Sequence, residues 1–399
     1  MRAGVTYAAG FRAAGVVAGL KPSGRPDLAL LVGDAGTTAA GLFTTNRVAA
    51  APVHLARSRL VAGCGTAVLV NSGQANAATG SRGDEDALTC TAEVASLLAL
   101  APEDVLPCST GVIGEPVHMP ELLAALPGLT EAVSPEGGES FAEAIMTTDT
   151  VAKSADADAG GYRVGGAAKG VGMISPNLAT MLAFVTTDAA VARGDLATLA
   201  HAELRPRFNA LTVDACMSTN DTVLLLASGA AGDDRVAPGE STWGALSEAI
   251  GAVADSLVSQ LIHDAEGVTT VTLVRVEGAA SDQDARTIAK AVADSPLVKT
   301  AVFGSDPNPG RILQAVGSSG VEVSPSLIDV WIGDVPVATG GVIPPAYFVA
   351  GGLRGSAETA IAGPEVTMRI RVGEGSGRSL VLGCDLSYDY VKINGEYTT

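Results

Sequence analysis

Residues 168–189 read AKGVGMISPNLATMLAFVTTDA: a lysine among small residues, a turn carrying Pro176 and Asn177, then an apolar run that opens on Thr180. The run TMLAFVTTDA has the apolar, β-branched content of a strand, and a threonine at a strand entrance is ordinary. A threonine hydroxyl becomes a nucleophile only when a base takes its proton. An α-amino group has a pKa near 7.7–8.0, against about 10.4 for a lysine side chain, so roughly a tenth of it is neutral at pH 7. A cut between Ala179 and Thr180 places such an amine on the residue that carries the hydroxyl. The nucleophile then brings its own base.

Outward from this stretch, LALLVGD, GLFTT, TAVLVNSG and DVLPCSTGVIG read as strands, and DEDALTCTAEVASLLALA, MPELLAALPGL and SFAEAIMTTDT as helices. Downstream come helical GDLATLAHAELRPRFNAL, strand TVLLLASG and the longest helical pattern, TWGALSEAIGAVADSLVSQLIHDAEG, which predicts a C-cap at Gly267. Strand VTTVTLVRVEG and helical SDQDARTIAKAVADSPLVK follow, and beyond about residue 325 the pattern is β-rich. Helices and strands alternate without a steady βαβ rhythm. That predicts an α/β chain of the layered α+β kind, with helices packed outside mixed sheets, rather than a doubly wound sheet.

A net charge of −18 over 399 residues excludes broad polyanion-binding faces, so neither nucleic acid nor an anionic membrane is an expected partner. The five cysteines are scattered without CxxC spacing, which predicts a reduced, cytoplasmic protein. Four histidines form no HxxxH or HExxH pair, so no metal is expected. KGVGMIS lacks the third glycine of a dinucleotide loop and no phosphate loop is present, so no cofactor is expected. No apolar run reads as a membrane span, and Tyr7, Phe11 and Arg12 interrupt any signal-like core.

Other candidates gather around Thr180. STGVIG (109–114) offers a Thr–Gly corner, Thr110 and Gly111, whose donors suit a developing oxyanion. Lys169 stands eleven residues upstream in what reads as a glycine-flanked loop. HDAEG places Asp264 and Glu266 at a helix end, and the tail INGEYTT is polar. Each has a plainer reading as a turn residue, a solvated lysine or a frayed end.

Eight blocks together resemble the ornithine acetyltransferase (glutamate N-acetyltransferase) family of arginine biosynthesis. They are NSGQANAATG (71–80), CSTGVIGEP (108–116), AIMTTDT (144–150), AKGVGMISPNLATMLAFVTTDA (168–189), FNALTVDACMSTNDT (208–222), DAEG (264–267), DPNPGRILQAVG (306–317) and YDYVKINGEYTT (388–399). They run in family order across nearly the whole chain.

The resemblance implies an N-terminal-nucleophile-like, autoprocessed fold, with self-cleavage at Ala179–Thr180 giving an α chain 1–179 and a β chain 180–399 that associate as an α2β2 heterotetramer. Thr180 takes the acetyl group of N2-acetylornithine, ornithine leaves, and glutamate accepts the acetyl. No diffusible cofactor takes part, although some members also use acetyl-CoA as a co-substrate. Thr110 and Gly111 match the oxyanion pair. Thr147, Lys169, Thr180, Glu266, Asn394 and Thr399 match substrate contacts, with Thr148 as an alternative to Thr147 and Asp264 to Glu266.

The sequence departs from the pattern at Gln74, at Ala215 and Cys216 (a glycine and an acidic residue expected), and at Pro309 (an aromatic expected). These departures bear on substrate preference rather than on cleavage. The competing readings are an N-terminal-threonine amide hydrolase or aminopeptidase, with water as acceptor, and a non-catalytic binding protein on the same fold.

Overall fold

A computed structural model describes residues 2–63, 65–175, 181–232 and 234–396. Ala179, Thr180 and Thr399 lie outside the described residues. Two compact units emerge, one of residues 2–209 and 216–264, the other of residues 210–215 and 265–396.

The strands of the first unit are β1 (Phe11–Val16), β2 (Leu28–Gly33), β3 (Thr38–Phe43), β4 (Ala67–Gln74), β5 (Val105–Val112), β6 (Lys153–Ala159), β7 (Tyr162–Lys169), β8 (Leu182–Thr187), β9 (Ala190–Val191), β10 (Thr222–Ala227) and β11 (Arg235–Val236). Its helices are α1 (Ala51–Ala62), α2 (Gly80–Leu98), α3 (Met119–Glu131), α4 (Gly138–Ala144), α5 (Arg193–Leu199), α6 (Arg205–Phe208) and α7 (Ser241–His263). One sheet runs β1-β2-β4-β5 and a second β3-β10-β8-β7-β6, each with a single parallel pair, β4 with β5 and β8 with β10.

Strand alternation separates the layers. Leu28 and Leu30 of β2 pack with Val94 of α2 and Leu126 of α3. Ala29 and Leu31 point the other way, into a core shared with Phe184 of β8 and Leu224 and Leu226 of β10. Helix α7 covers the outer face of the second sheet against β6 and β7. The result is helices, sheet, sheet, helix. Strands β8 and β10 are buried at every position, which is why they read as continuous apolar runs rather than alternating ones.

Several expectations are corrected. Helix α7 stops at His263 with Asp264 as its cap, not at Gly267. At 23 residues it is long and apolar enough to cross a membrane. It nevertheless carries Glu248 and Asp255, and it buries Ile250, Val253, Leu257 and Leu261. Of SFAEAIMTTDT only the start is helical. Lys169 ends strand β7 rather than sitting in a loop.

The second unit has β12 (Val271–Ala279), β13 (Asp329–Ile332), β14 (Val335–Ala338), β15 (Glu365–Arg371) and β16 (Gly377–Cys384), ordered β14-β13-β15-β12-β16. Its helices are α8 (Asp282–Ala293), α9 (Pro296–Phe303), α10 (Pro309–Gly317), α11 (Leu353–Ile361) and α12 (Tyr388–Glu396). Helices α11 and α12 fall where the sequence reads as β-rich. Pro309 opens α10 with Asn308 capping the Arg311 N–H, a helix-start role that explains the proline. Ala215 takes φ 61°, a left-handed conformation that costs a non-glycine residue roughly 1–2 kcal/mol and accounts for the glycine expected there.

Phe184, fully buried, meets Phe141 edge-to-face at 5.3 Å. Phe184→Ala is expected to cost about 3–5 kcal/mol of stability. Urea unfolding measures this, and Phe184→Leu should recover much of the loss.

Candidate active site

The parallel pairing of β4 and β5 sets Ser72 beside Thr110 and Gly73 beside Gly111. Gly111 has φ 126°, and a Cβ there would lie 2.2 Å from the Gly73 carbonyl oxygen, so only glycine fits. Thr110 is buried, and its Oγ1 accepts a hydrogen bond from Lys169 Nζ at 3.2 Å. With an ammonium on its lone pair, the Thr110 hydroxyl is polarised as a donor, and its proton has no acceptor among the described residues. Asn220 Nδ2 fixes the strand end by donating to Ser109 O at 2.9 Å.

Lys169 ends β7 directly opposite Leu182 of β8, two residues after Thr180. Two of the sequence candidates, Lys169 and Thr110, are thereby brought together. Lys169 touches Thr110, and the chain that emerges from Thr180 pairs with the strand that Lys169 closes.

Asp149, which the sequence reading did not single out, organises the neighbouring loop. Its Oδ1 accepts from Lys153 Nζ at 2.7 Å and from the Gly170 N–H at 2.8 Å, and its Oδ2 accepts from the Thr147 N–H at 3.0 Å. Burial pushes its carboxyl up, but the ammonium groups of Lys169 and Lys153 and the Gly170 N–H outweigh this and hold it below its ordinary value. Lys153 is fully buried and also donates to Asp264 Oδ2 at 2.6 Å, while the Thr150 N–H donates to the same oxygen at 3.0 Å. Asp264 is therefore committed to an internal ion pair. The only sequence signal for this cluster was the four-residue spacing of Asp149 and Lys153.

Thr147, but not Thr148, lines a cleft of ≈ 340 Å³ together with Lys21, Arg25, Glu143 and Thr150. Lys21 Nζ donates to Pro26 O at 2.7 Å and Met146 O at 2.6 Å, which ties the Thr147 loop down. Burial lowers the Lys21 pKa to about 8; Asp27 opposes the shift and Lys169 adds to it.

At the head of β8 the Met181 N–H donates to Asp221 Oδ1 at 3.0 Å, and Asp221 is fully buried. The sequence reading quoted its segment but did not weigh this residue. In the second unit, Asn394 of α12 donates from Nδ2 to Glu266 Oε2 at 2.8 Å, so two of the expected substrate contacts pair with each other.

Asp149 offers a direct test of this electrostatic arrangement. Its folded pKa lies below the ordinary 3.8, so its stabilisation is complete above that pH and fades as pH falls through the folded value. Asp149→Asn removes one of the two carboxylates that Lys153 meets and a negative charge near Lys169, and is expected to cost about 3–5 kcal/mol at pH 7. The gap to wild type in urea unfolding should close in acid, and a constant gap would contradict the ion-pair role.

Comparison with known proteins places this geometry in context. The model of the ArgJ family matches residues 12–399. The arginine biosynthesis bifunctional protein ArgJ of Thermosynechococcus vestitus is 46% identical, over 99% of this chain and 98% of that protein. Its counterpart in Geobacter sulfurreducens is 44% identical, over 98% of this chain and 99% of that protein. A crystal structure of the arginine biosynthesis bifunctional protein argJ from Bacillus halodurans is 37% identical with a TM-score of 0.50, covering 54% of this chain and 98% of that one. The chain belongs to the ArgJ family.

Proposed function

We propose that the chain cuts itself between Ala179 and Thr180 and then transfers acetyl groups through Thr180. The chain is an acyltransferase of arginine biosynthesis. In the first half-reaction the Thr180 hydroxyl attacks the acetyl carbon of N2-acetylornithine. Its proton passes to the free α-amine, the amide C–N bond breaks, and ornithine leaves with that proton. In the second half-reaction the amino group of glutamate attacks the acetyl-threonyl ester and restores the hydroxyl.

One observation carries the reading. Lys169 Nζ lies 3.2 Å from Thr110 Oγ1 on a strand whose last residue pairs with Leu182, just past Thr180. The oxyanion donors Thr110 and Gly111 would receive the charge that develops on the acetyl oxygen. The cleft beside Thr147, with Lys21 and Arg25 on its wall, suits a substrate carboxylate. Glu266, held by Asn394, would take the substrate ammonium, and Thr399 would add a contact from the tail.

The half-length Bacillus halodurans chain accords with processing in the family. The strand pairs β7–β8 and β3–β10 would keep the chains 1–179 and 180–399 together after the cut. An α2β2 assembly, a cytoplasmic setting and acetyl-CoA as a second acetyl donor belong to the same proposal. The family relationship favours transfer over the amide-hydrolase alternative, in which water would be the acceptor.

Intact mass under denaturing conditions is expected to show two chains, the second beginning Thr-Met-Leu-Ala. Thr180→Ala should leave one uncut, inactive chain. Thr110→Ala should lower kcat about 10²–10³-fold at a nearly unchanged KM. Glutamate should accelerate ornithine release and become acetylated; acetate released at a rate indifferent to glutamate would return the reading to a hydrolase.

A further inference from the structure

Acidic side chains outnumber lysines and arginines 43 to 25 in this chain. Against that background, a cleft of ≈ 210 Å³ in the first unit is lined by Arg57, His201 and Arg205 and, among the described residues, by no carboxylate. Phe43, Thr45 and Asn209 form more of its wall. Strand β3, the margin of its sheet, supplies the floor; α1 brings Arg57, and the helical segment that follows α5 brings His201 and Arg205. Gly41 keeps the floor clear, because a Cβ there would lie 2.9 Å from the Phe43 ring.

Neither arginine is used up by an internal ion pair. Arg57 lies 5.4 Å over the Phe43 ring and donates from Nη2 to Thr44 O at 3.1 Å, which fixes the guanidinium and leaves further N–H groups to give. Arg205 meets no carboxylate among the described residues. Glu203, the acid nearest to it in sequence, is committed to Arg207 and to the Ser247 hydroxyl. The local backbone is also unusual. Ala200–Leu204 forms a turn of π-helix between α5 and α6, a rare conformation that recurs at functional sites. It sets His201 and Arg205, four residues apart, over the same cleft.

The charge balance selects the ligand. Guanidinium groups stay protonated and match oxyanions with paired donors, so two of them without a carboxylate suit a dianion. An amino acid fits poorly, since no acid in the wall would meet its ammonium group. An apolar molecule would strand both charges. We propose that this cleft, apart from the one beside Thr147, is a phosphate-binding site in which Arg57, Arg205 and His201 hold the phosphate group of a small ligand.

That group has two sources, inorganic phosphate and the phosphates of acetyl-CoA. Phe43 pairs with Thr222 of β10, which pairs with Leu182 of β8. Two strand spacings come to about 10 Å, so a ligand anchored here by phosphate and carrying a flexible arm would reach the head of β8. The acetyl-CoA source rests on acetyl-CoA being a donor for this enzyme; phosphate binding itself does not.

Calorimetric titration of the full-length chain with inorganic phosphate and, separately, with acetyl-CoA tests the site. At least one probe is expected to bind, and the double variant Arg57→Ala/Arg205→Ala to bind it at least roughly tenfold more weakly. The same variant should keep ornithine release from N2-acetylornithine within about twofold of wild type. Arg57→Lys/Arg205→Lys keeps the charge without the paired donors and should fall between the two, with a wild-type thermal midpoint. Tighter binding of acetyl-CoA than of phosphate, with acetylglutamate formation from acetyl-CoA reduced in the double alanine variant, assigns the group to the coenzyme. Affinity for acetyl-CoA no greater than for phosphate assigns the site to the free ion. Acetyl-CoA that binds through the arginines but gives up no acetyl group removes the donor reading and leaves the site standing. Binding of neither probe at about 10 mM, equal binding by wild type and the double alanine variant, or loss of N2-acetylornithine turnover in step with binding overturns the proposal.

Discussion

Between Val164 opposite Thr187 and Lys169 opposite Leu182, the backbones of β7 and β8 pair in one antiparallel ladder. The connection between these strands carries the Ala179–Thr180 bond. Hydrogen bonds of this ladder do not depend on the link at its end, and β8 is held on its other side by β10. A break in that connection would leave the sheet and its core intact, and β8 would keep its address between β7 and β10. A terminus is ordinarily the least ordered part of a chain. Here the first described residues of this stretch, Met181 and Leu182, are buried.

Around that address the interior holds an unusual density of charge. Lys153 and Lys169 are buried among Asp149, Asp221 and the nearly buried Asp264. Isolated ions are expensive to bury, and each of these is offset by an opposite charge or a backbone donor. The arrangement is uneven by design of its contacts. Asp149 is saturated by two N–H groups and an ammonium and stays ionised, while Asp221 has one N–H and an idle oxygen. Two aspartates in one unit are thus driven in opposite directions by the contacts around them.

The leucine- and valine-rich strands β2, β4, β8 and β10 and the long α7 were legible in the sequence because burial on both faces, or on one helical stripe, leaves a periodic signal. Strand β7, YRVGGAAK, was not. Its glycines answer a close approach, since a Cβ on Gly165 would fall 1.9 Å from Gly4 O, and glycine hides a strand from propensity. Helix α12 was missed because its exposed residues show no apolar stripe. Thr110, Gly111 and Lys169 were singled out by their glycine-bounded segments as well as by the family blocks, and Lys169 bonds to Thr110. Asp221 and the Lys153–Asp264 pair escaped because the partners lie far apart along the chain, and the four-residue spacing of Asp149 and Lys153 falls at a strand entrance rather than on a helix, where it would be read as a pair.

Strand β6 forms one margin of the five-stranded sheet, and Ser154, Asp156 and Asp158 alternate along its exposed side. Asp156 accepts the Gly4 N–H at 2.7 Å and Asp158 the Tyr7 hydroxyl at 3.0 Å, so the margin is partly clasped by the chain's own beginning. A second copy laid alongside would bring carboxylates face to face. Strand addition by a second copy is thereby disfavoured at that margin, where the Ser154 backbone is also engaged by the Gln260 side chain.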